Sequence, residues 1–147
     1  MKYSHHVDID APPAAVFHWL DDSQRVMQWL KGVEENEDLE VTPERVGSTF
    51  RQVFVENGRR MEFQGVVTGY ERDRRLRVAM SGQAFDLDVD YVLEPRGAGT
   101  RLTQTSSGTF HGAWKVLGFL MLPIMKRAGT KKLMEDFGRL KALAEGS

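Results

Sequence analysis

The clearest pattern in the chain is the alternation of apolar and polar side chains along residues 84–94. One face of this segment carries five apolar side chains, Phe85, Leu87, Val89, Tyr91 and Leu93. The other face is acidic and includes Asp86, Asp88 and Asp90. A period of two residues predicts a β-strand with one buried face.

The same period, in weaker form, predicts further strands on both sides of this segment. These are residues 2–10, 48–56, 59–71, 74–81 and 100–107. Residues 33–41 are acidic and weakly patterned, so we expect an edge strand or an extended loop there. Asn57-Gly58 predicts a tight hairpin. Successive hairpins make an antiparallel sheet, here of about seven strands.

For one of these strands, the sequence gives two conflicting indications of which face is buried. Along residues 59–71, Met61 and Phe63 predict one inward face, whereas Val66 and Tyr70 predict the opposite one. Successive side chains of a strand point to opposite sides, so a regular strand cannot bury both pairs on the same side. The sequence pattern does not decide between them.

Two short helices are predicted between the first and second strands. Asp10-Ala11-Pro12-Pro13 begins the first, because proline is favoured in a first helical turn and Asp10 or a neighbour can cap it. Asp21-Asp22-Ser23 begins the second, which ends at Gly32. Their apolar side chains are Val16, Phe17, Trp19 and Leu20 in the first helix, and Val26, Met27, Trp29 and Leu30 in the second.

Residues 112–145 predict one long C-terminal helix, with a bend at Pro123 and a weak point at Gly129. Its second half has an apolar stripe with helical spacing, formed by Leu133, Phe137, Leu140 and Ala144 and widened by Met134 and Leu143. The opposite, polar face contains Lys131, Lys132, Glu135, Asp136, Arg139, Lys141 and Glu145. This half is expected to lie on the core of the domain.

The first half of that helix is apolar on all sides. Between residues 114 and 125 the only charge is Lys115. One interpretation is a helix buried on several sides by its own fold. The other is that one side lines a ligand cavity while another covers its mouth. The apolar run is shorter than the roughly 20 residues that a membrane span needs, which leaves only peripheral membrane contact open.

Composition limits the classes of function. The chain has 147 residues, 41% of them hydrophobic and 28% charged, which predicts a single globular domain over residues 1–147. A formal net charge of -1 argues against a general binder of nucleic acid, and aromatic side chains for base stacking are lacking on the predicted outer sheet face. The absence of cysteine excludes disulfides and thiolate chemistry. Residues 2–6 show no apolar leader, so a cytoplasmic location is expected.

Three local motifs follow one another along this order of elements. They are Val7-Asp8-Ile9-Asp10-Ala11-Pro12-Pro13-Ala14-Ala15-Val16-Phe17 with the later Trp29, then Val46-Gly47-Ser48-Thr49-Phe50, and finally Gly99-Thr100-Arg101-Leu102-Thr103. Together with the order of elements, these motifs resemble the START-related superfamily, also called SRPBCC, which includes the birch-pollen allergens. The branch that the chain most resembles is the bacterial polyketide cyclase/dehydrase and lipid-transport group. They span nearly the whole chain. The glycine-rich loop of the plant members is reduced here to Gly47.

This resemblance implies an α+β helix-grip fold, in which a curved antiparallel sheet wraps around the long C-terminal helix. It also implies an apolar cavity between the sheet and that helix. The mouth of the cavity is expected near the loops at Gly32, Asn57-Gly58, Gly82 and residues 108–112. Members of the superfamily include cyclases, binders of lipids, sterols or quinones, and modulators of protein partners, so the fold does not settle the activity.

Two residues are candidates for proton transfer. His5 shares the inward face of the first strand with Val7 and Ile9 and is expected beside Gln104 or Ser106 of the last strand. Tyr91 lies on the inward face of the clearest strand. A buried, hydrogen-bonded histidine is the simpler interpretation of His5.

No metal or cofactor is expected. His5 and His6 are adjacent and point to opposite faces of a strand, so they cannot chelate one ion, and no ligand set has a recognisable spacing. The row of Asp86, Asp88 and Asp90 is expected to be solvated and to be offset by arginines of the preceding strand, Arg74, Arg75 and Arg77.

The expected ligand-binding residues combine a few polar groups with large apolar ones. They are Trp29, Gln52, Phe54, Phe85, Tyr91, Gln104, Trp114 and Phe119. In a cavity the polar groups orient a ligand's oxygen atoms while the aromatic rings contact its apolar body. In a packed interior the same polar groups hydrogen-bond one another.

Three hypotheses of function follow. The leading one is the binding of a hydrophobic, partly oxygenated small molecule of lipid, polyketide or quinone type. The second is a polyketide cyclase or dehydratase in which His5 or Tyr91 transfers protons. The third is a modulator of a partner protein, or a homodimer, that uses the apolar surface of residues 114–125.

Overall fold

A computed structural model describes residues 2–56, 58–112 and 114–146, without the side chains of residues 114 and 116–128. The elements in chain order are β1 (Lys2–Ile9), α1 (Pro13–Leu20), α2 (Ser23–Trp29), β2 (Val33–Glu40), β3 (Thr49–Glu56), β4 (Arg59–Glu71), β5 (Arg75–Gly82), β6 (Phe85–Arg96), β7 (Gly99–Phe110) and α3 (Trp114–Glu145). This arrangement is the α+β helix-grip fold that the sequence predicts.

The seven strands form one antiparallel sheet in the order β1-β7-β6-β5-β4-β3-β2. Each hairpin pairs neighbours in sequence, and β1 closes the series by pairing with β7, so that His5 lies opposite Gln104 as expected. The two edges are β1 and β2. Residues 33–41 therefore do contain an edge strand, and its acidic side chains disfavour pairing with another sheet.

An irregularity in β4 explains why its inward face is ambiguous in the sequence. The pairing register between β4 and β5 shifts between Val67 and Gly69. Before the shift, Phe63 and Val67 are buried on the concave side. After it, Tyr70 packs against the hydrophobic core. A β-bulge of this kind reverses the alternation, so one strand buries side chains of both parities.

The packed core occupies one end of the domain. The last turns of α3 bury Phe137, Leu140 and Ala144 against α1, β1 and the adjoining ends of the sheet strands. Their main partners are Ile9, Ala11, Val16, Phe17, Leu20, Leu93 and Leu102. The predicted stripe on the second half of α3 is thus confirmed for these three residues, and Leu133 and Leu143 also pack against the core.

Two residues of α3 do not lie where the pattern places them. Met134 is 40% exposed, whereas Asp136, assigned to the polar face, is only 1% exposed. Asp136 is buried because it has polar partners on both sides. Its carboxylate accepts hydrogen bonds from Lys132 Nζ at 2.6 Å, from Arg139 Nη2, and from the backbone N–H of Lys31 at 3.3 Å.

The same cluster connects α3 to the end of α2. Arg139 also donates from Nε to the carbonyl oxygen of Trp29 at 3.1 Å. Lys31 lies in the short connection between α2 and β2, so its bond to Asp136 holds this connection against α3 as well. Buried charges are tolerated in proteins when they are paired and hydrogen-bonded in this way.

The first helix is capped differently from the expectation. Its N-cap is Pro12, which makes no side-chain cap bond, and the backbone N–H of Asp10 instead donates to Glu145 at 2.8 Å. The second helix is capped as its sequence predicts. Asp22 accepts from the backbone N–H groups of Gln24 at 2.9 Å and Arg25 at 3.0 Å.

The outer face of the sheet carries the predicted carboxylate row. Arg75 makes a two-pronged ion pair with Asp90, and Arg77 does the same with Asp88. Asp86 lies beside His111, with Nε2 at 2.9 Å, and the hydrogen bond from His111 lowers the pKa of Asp86. These ion pairs lie at the solvent-accessible outer surface of the sheet.

Replacing Asp136 tests the buried ion-pair cluster. We expect Asp136→Leu to lower the free energy of unfolding by about 2 kcal/mol, because two cations and a backbone N–H lose their acceptor. We expect a smaller loss for Asp136→Asn, which keeps an acceptor oxygen. Urea unfolding measures both, with Glu135→Leu on the exposed side as the control. Equal stability of Asp136→Leu and Glu135→Leu would show that the cluster contributes nothing.

Candidate functional site

A pocket of about 340 Å³ lies between the concave face of the sheet, α2 and α3. Its walls come from alternate residues of β3, β4, β5 and β6, because a curved antiparallel sheet directs every second side chain inward. The fully apolar part of the wall belongs to β5 and β6 and consists of Leu76, Val78, Met80, Phe85, Leu87 and Val89. A pocket of this size and character is typical of sites for small molecules.

Two phenylalanines of β3 reach the pocket over glycines. The ring of Phe54 lies against Gly32, where a Cβ atom would come within 2.7 Å of the ring. Gly32 also has φ +97°, which a residue with a side chain rarely adopts. The ring of Phe50 covers Gly65 of β4 in the same manner. A side chain at either glycine would collide with the ring above it, so both ring positions require glycine beneath them.

A row of mainly polar and aromatic side chains crosses the sheet beside the pocket. His5, Gln104, Tyr91, Leu76 and Tyr70 lie directly opposite one another on successive strands. Of these residues, Leu76, Tyr91 and Gln104 line the pocket. The pocket wall thus contains an amide and a phenol from this row.

Tyr91 is a neutral phenol at physiological pH. Burial raises its pKa far above the ordinary value, and the negative charge of Asp136 raises it further. The ring of Trp29 packs edge-on at 6.5 Å between ring centres. Gln104 next to it has a buried Oε1 that accepts no hydrogen bond from any residue described by the structure.

His5 faces inward as predicted but is not among the described residues of the pocket wall. Its Nε2 atom lies 3.4 Å from the hydroxyl of Thr130 on α3. This position corresponds to the simpler interpretation, a hydrogen-bonded histidine between the sheet and the helix.

The exposed residues of the pocket wall lie at two ends. One end has Glu56, near Met61 and Phe85 and beside the hairpin loops where a mouth is expected. The other has Asp38 and Val41, between α2 and the connection from β2 to β3. The second end is not among the loops at which the family resemblance implies the mouth.

Arg45 lines the pocket at this second end and is held there by neighbouring side chains. Its backbone has φ 70°, an uncommon value for a residue other than glycine. Its Nη2 atom lies 2.9 Å from Asp21 Oδ1, and the guanidinium covers the ring of Tyr70 at 5.2 Å. Tyr70 donates to Asp21 Oδ2 at 2.9 Å, and its own pKa is raised by burial and by this bond.

The structure thus brings together six of the eight predicted binding residues. Trp29, Gln52, Phe54, Phe85, Tyr91 and Gln104 all line the pocket. The side chains of Trp114 and Phe119 lie outside the described residues, as does the apolar surface expected over residues 114–125. Sequence reasoning missed Asp21, Asn36 and Arg45, since they belong to turns and to an irregular edge strand without periodicity.

Among the described residues, no three His, Asp or Glu side chains are placed to hold a metal ion. The described part of the chain also contains no helix with the length and hydropathy of a membrane span. The described wall of the pocket combines apolar side chains with the amides of Gln52 and Gln104, the phenol of Tyr91 and a few charged groups.

Comparison with known proteins places the chain in a family. The sequence model described as "Polyketide cyclase / dehydrase and lipid transport" matches residues 1–145. The chain belongs to this family. The resemblance to the START-related superfamily is thereby confirmed. A comparison with curated proteins gives no match.

Solved structures share the fold of this polyketide cyclase/dehydrase and lipid-transport family member. TTHA0849 from Thermus thermophilus is 20% identical, with a TM-score of 0.83, 98% of this chain and 97% of that chain covered. The ZhuI aromatase/cyclase from Streptomyces sp. R1128 is 15% identical, with a TM-score of 0.81 and coverage of 99% and 93%. Ara h 8.0201 is 12% identical, with a TM-score of 0.71 and coverage of 100% and 99%. At these identities the similarity shows the fold alone.

The raised pKa of Tyr91 predicts a pH dependence of stability. Its pKa in the folded state exceeds that in the unfolded state, about 10, so its contribution is complete below pH 10 and is lost as pH rises. Above pH 10 this residue alone should lower the free energy of unfolding by up to about 1.4 kcal/mol per pH unit. We expect Tyr91→Phe to make the decline shallower in urea unfolding between pH 9 and 11. Parallel curves for the two proteins would contradict the assignment.

Proposed function

We propose that the protein binds a hydrophobic, partly oxygenated small molecule of lipid, polyketide or quinone type in the pocket between the sheet and α3. The observation that carries the proposal is a pocket of about 340 Å³ with an apolar wall and a few inward polar groups. Membership in the polyketide cyclase/dehydrase and lipid-transport family supports it.

The chemistry of the wall supports this class of ligand. Apolar surface removed from water contributes roughly 25 cal/mol per Å² to binding, and β5 and β6 supply six apolar side chains to the wall. Gln52, Tyr91 and Gln104 offer hydrogen bonds on the inward face. Those groups suit a hydroxyl or carbonyl oxygen of the ligand.

The volume favours a compact ligand. Pockets for small molecules span about 300–1,000 Å³, and this one lies near the lower limit. A single acyl chain or a small ring system fits that limit better than a lipid with two chains.

Blocking the pocket tests the proposal. We expect Leu87→Trp to weaken binding of the neutral fluorescent probe N-phenyl-1-naphthylamine at least tenfold, because the indole would occupy the pocket. Ser81→Trp, on an exposed position of β5, adds the same side chain outside and should bind the probe as the unaltered protein does. Fluorescence titration of delipidated protein gives both dissociation constants. No binding to the unaltered protein, or equal binding to both variants, would contradict the proposal.

A second candidate function is a polyketide cyclase or dehydratase. The observation favouring it is a phenol held protonated by burial, Tyr91, beside the amide of Gln104 in an apolar pocket. Such a phenol can donate a hydrogen bond to a substrate carbonyl and stabilise the negative charge that develops on its oxygen. The similarity in fold to an aromatase/cyclase is compatible with this chemistry.

Paired substitutions test the cyclase hypothesis. With a poly-β-ketone substrate, Tyr91→Phe should reduce kcat by about a hundredfold or more, while probe binding stays intact. His5→Ala, outside the described pocket wall, should leave kcat unchanged. Conversion by the unaltered protein no faster than in buffer would exclude the cyclase function for that substrate.

The use of residues 114–125 as a surface for a partner or a homodimer stays a prediction.

A further inference from the structure

The polar groups of the pocket wall are concentrated at one end. The α1–α2 turn, α2, β2 and the connection to β3 supply most of them, namely Asp21, Ser23, Asn36, Asp38, Arg45 and Ser48. We call this the polar rim. Among the described residues, the opposite end is formed by Met61, Phe63, Met80, Phe85 and Leu87, with Glu56 as its one charged group.

The two ends are well separated. β3 runs from Thr49 beside the polar rim to Glu56 at the opposite end. Seven residues of strand, at about 3.3 Å each, span roughly 23 Å. A ligand with one polar and one apolar end therefore has a preferred direction in this pocket.

The polar rim has more negative than positive charge available to a ligand. Arg45 is the only cation among the described residues of the pocket wall, and Asp21 and the Tyr70 ring already hold its guanidinium. Asp38 accepts a hydrogen bond from Ser23 Oγ at 2.6 Å and forms no ion pair with another described residue. The strand β2 brings further carboxylates nearby. Glu35 and Glu37 are paired with Arg51 and Arg60, whereas Glu34 and Glu40 form no ion pair with another described residue.

Asn36 adds a neutral acceptor at the same end. Its side chain is 6% exposed and lines the pocket. Nδ2 donates to the carbonyl oxygen of Ser23 at 2.9 Å, which fixes the orientation of the amide because a carbonyl can only accept. Oδ1 is left buried, with no hydrogen bond from any described residue. A buried acceptor of this kind gains most from a donating group.

We propose that the ligand is an amphiphile whose polar end donates hydrogen bonds and is neutral or positively charged, an alcohol or an amine. This end lies at the polar rim between Asn36 and Asp38, and the apolar body extends toward Met80 and Phe85. The pocket discriminates against carboxylates and phosphates, whose charge is repelled at the rim. The inference rests on the proposed function of the pocket.

A matched series of probes tests the choice of polar end. Decylamine, decanol and decanoate share one alkyl chain and differ only at the head. In competition with N-phenyl-1-naphthylamine at pH 7 and low salt, we expect the amine and the alcohol to displace the probe at concentrations at least tenfold below decanoate. Equal potency, or decanoate as the strongest competitor, would overturn this inference while leaving the pocket's binding function intact. Failure of the neutral probe itself to bind would overturn both.

A single substitution tests the position of the polar end. Asp38→Asn removes a rim charge with little change of shape. It should reduce the ratio of the probe-displacing concentration of decanoate to that of decylamine by about threefold or more. Glu135→Gln changes the net charge equally at an exposed position of α3 and should leave the ratio unchanged. An unchanged ratio in Asp38→Asn, or the same narrowing in both variants, would refute the assignment of the head group to this rim.

Discussion

A single helix has to cover one face of a seven-stranded sheet, and the mismatch of their widths governs the rest of the structure. Six inter-strand spacings of about 4.8 Å make the sheet roughly 29 Å wide, whereas a helix with its side chains is about 10 Å across. Curling the sheet reduces the mismatch without removing it. Near the end of α3 the two short helices fill the remaining space and make a core with Phe17 and Phe137. Farther along, the described residues of the concave face border the pocket.

Much of this architecture follows from hydrophobic periodicity. When one face of a strand or helix is buried, its sequence acquires a local apolar period. The alternation in residues 84–94 and the stripe through Leu140 are two such patterns. The bulge in β4 lies beyond such reasoning, because a register shift depends on the neighbouring strand. The burial of Asp136 is likewise not predictable from the local pattern. It depends on Lys31 and the end of α2, more than a hundred residues away in the chain.

In the pocket, too, residues on regular strands are predictable from the sequence and residues in irregular segments are not. Phe85 and Tyr91 are predictable as inward residues because they alternate along a regular strand. Arg45 is not, since its position depends on a left-handed backbone in a turn and on Asp21 from another element. Sequence patterns identify the apolar wall, where periodicity operates. They do not identify the polar rim, because irregular segments build it.

The partial separation of the packed core from the pocket wall has an evolutionary consequence. Leu102 and Phe137 belong to the core and do not line the pocket, and Leu87 and Phe50 line the pocket outside the core, whereas Leu76 belongs to both. Substitutions at wall positions outside the core can therefore change the shape of the pocket while the core contacts are retained. Proteins tolerate change where stability exceeds the required threshold. One backbone can in this way accommodate many different pocket walls while its sequence drifts widely.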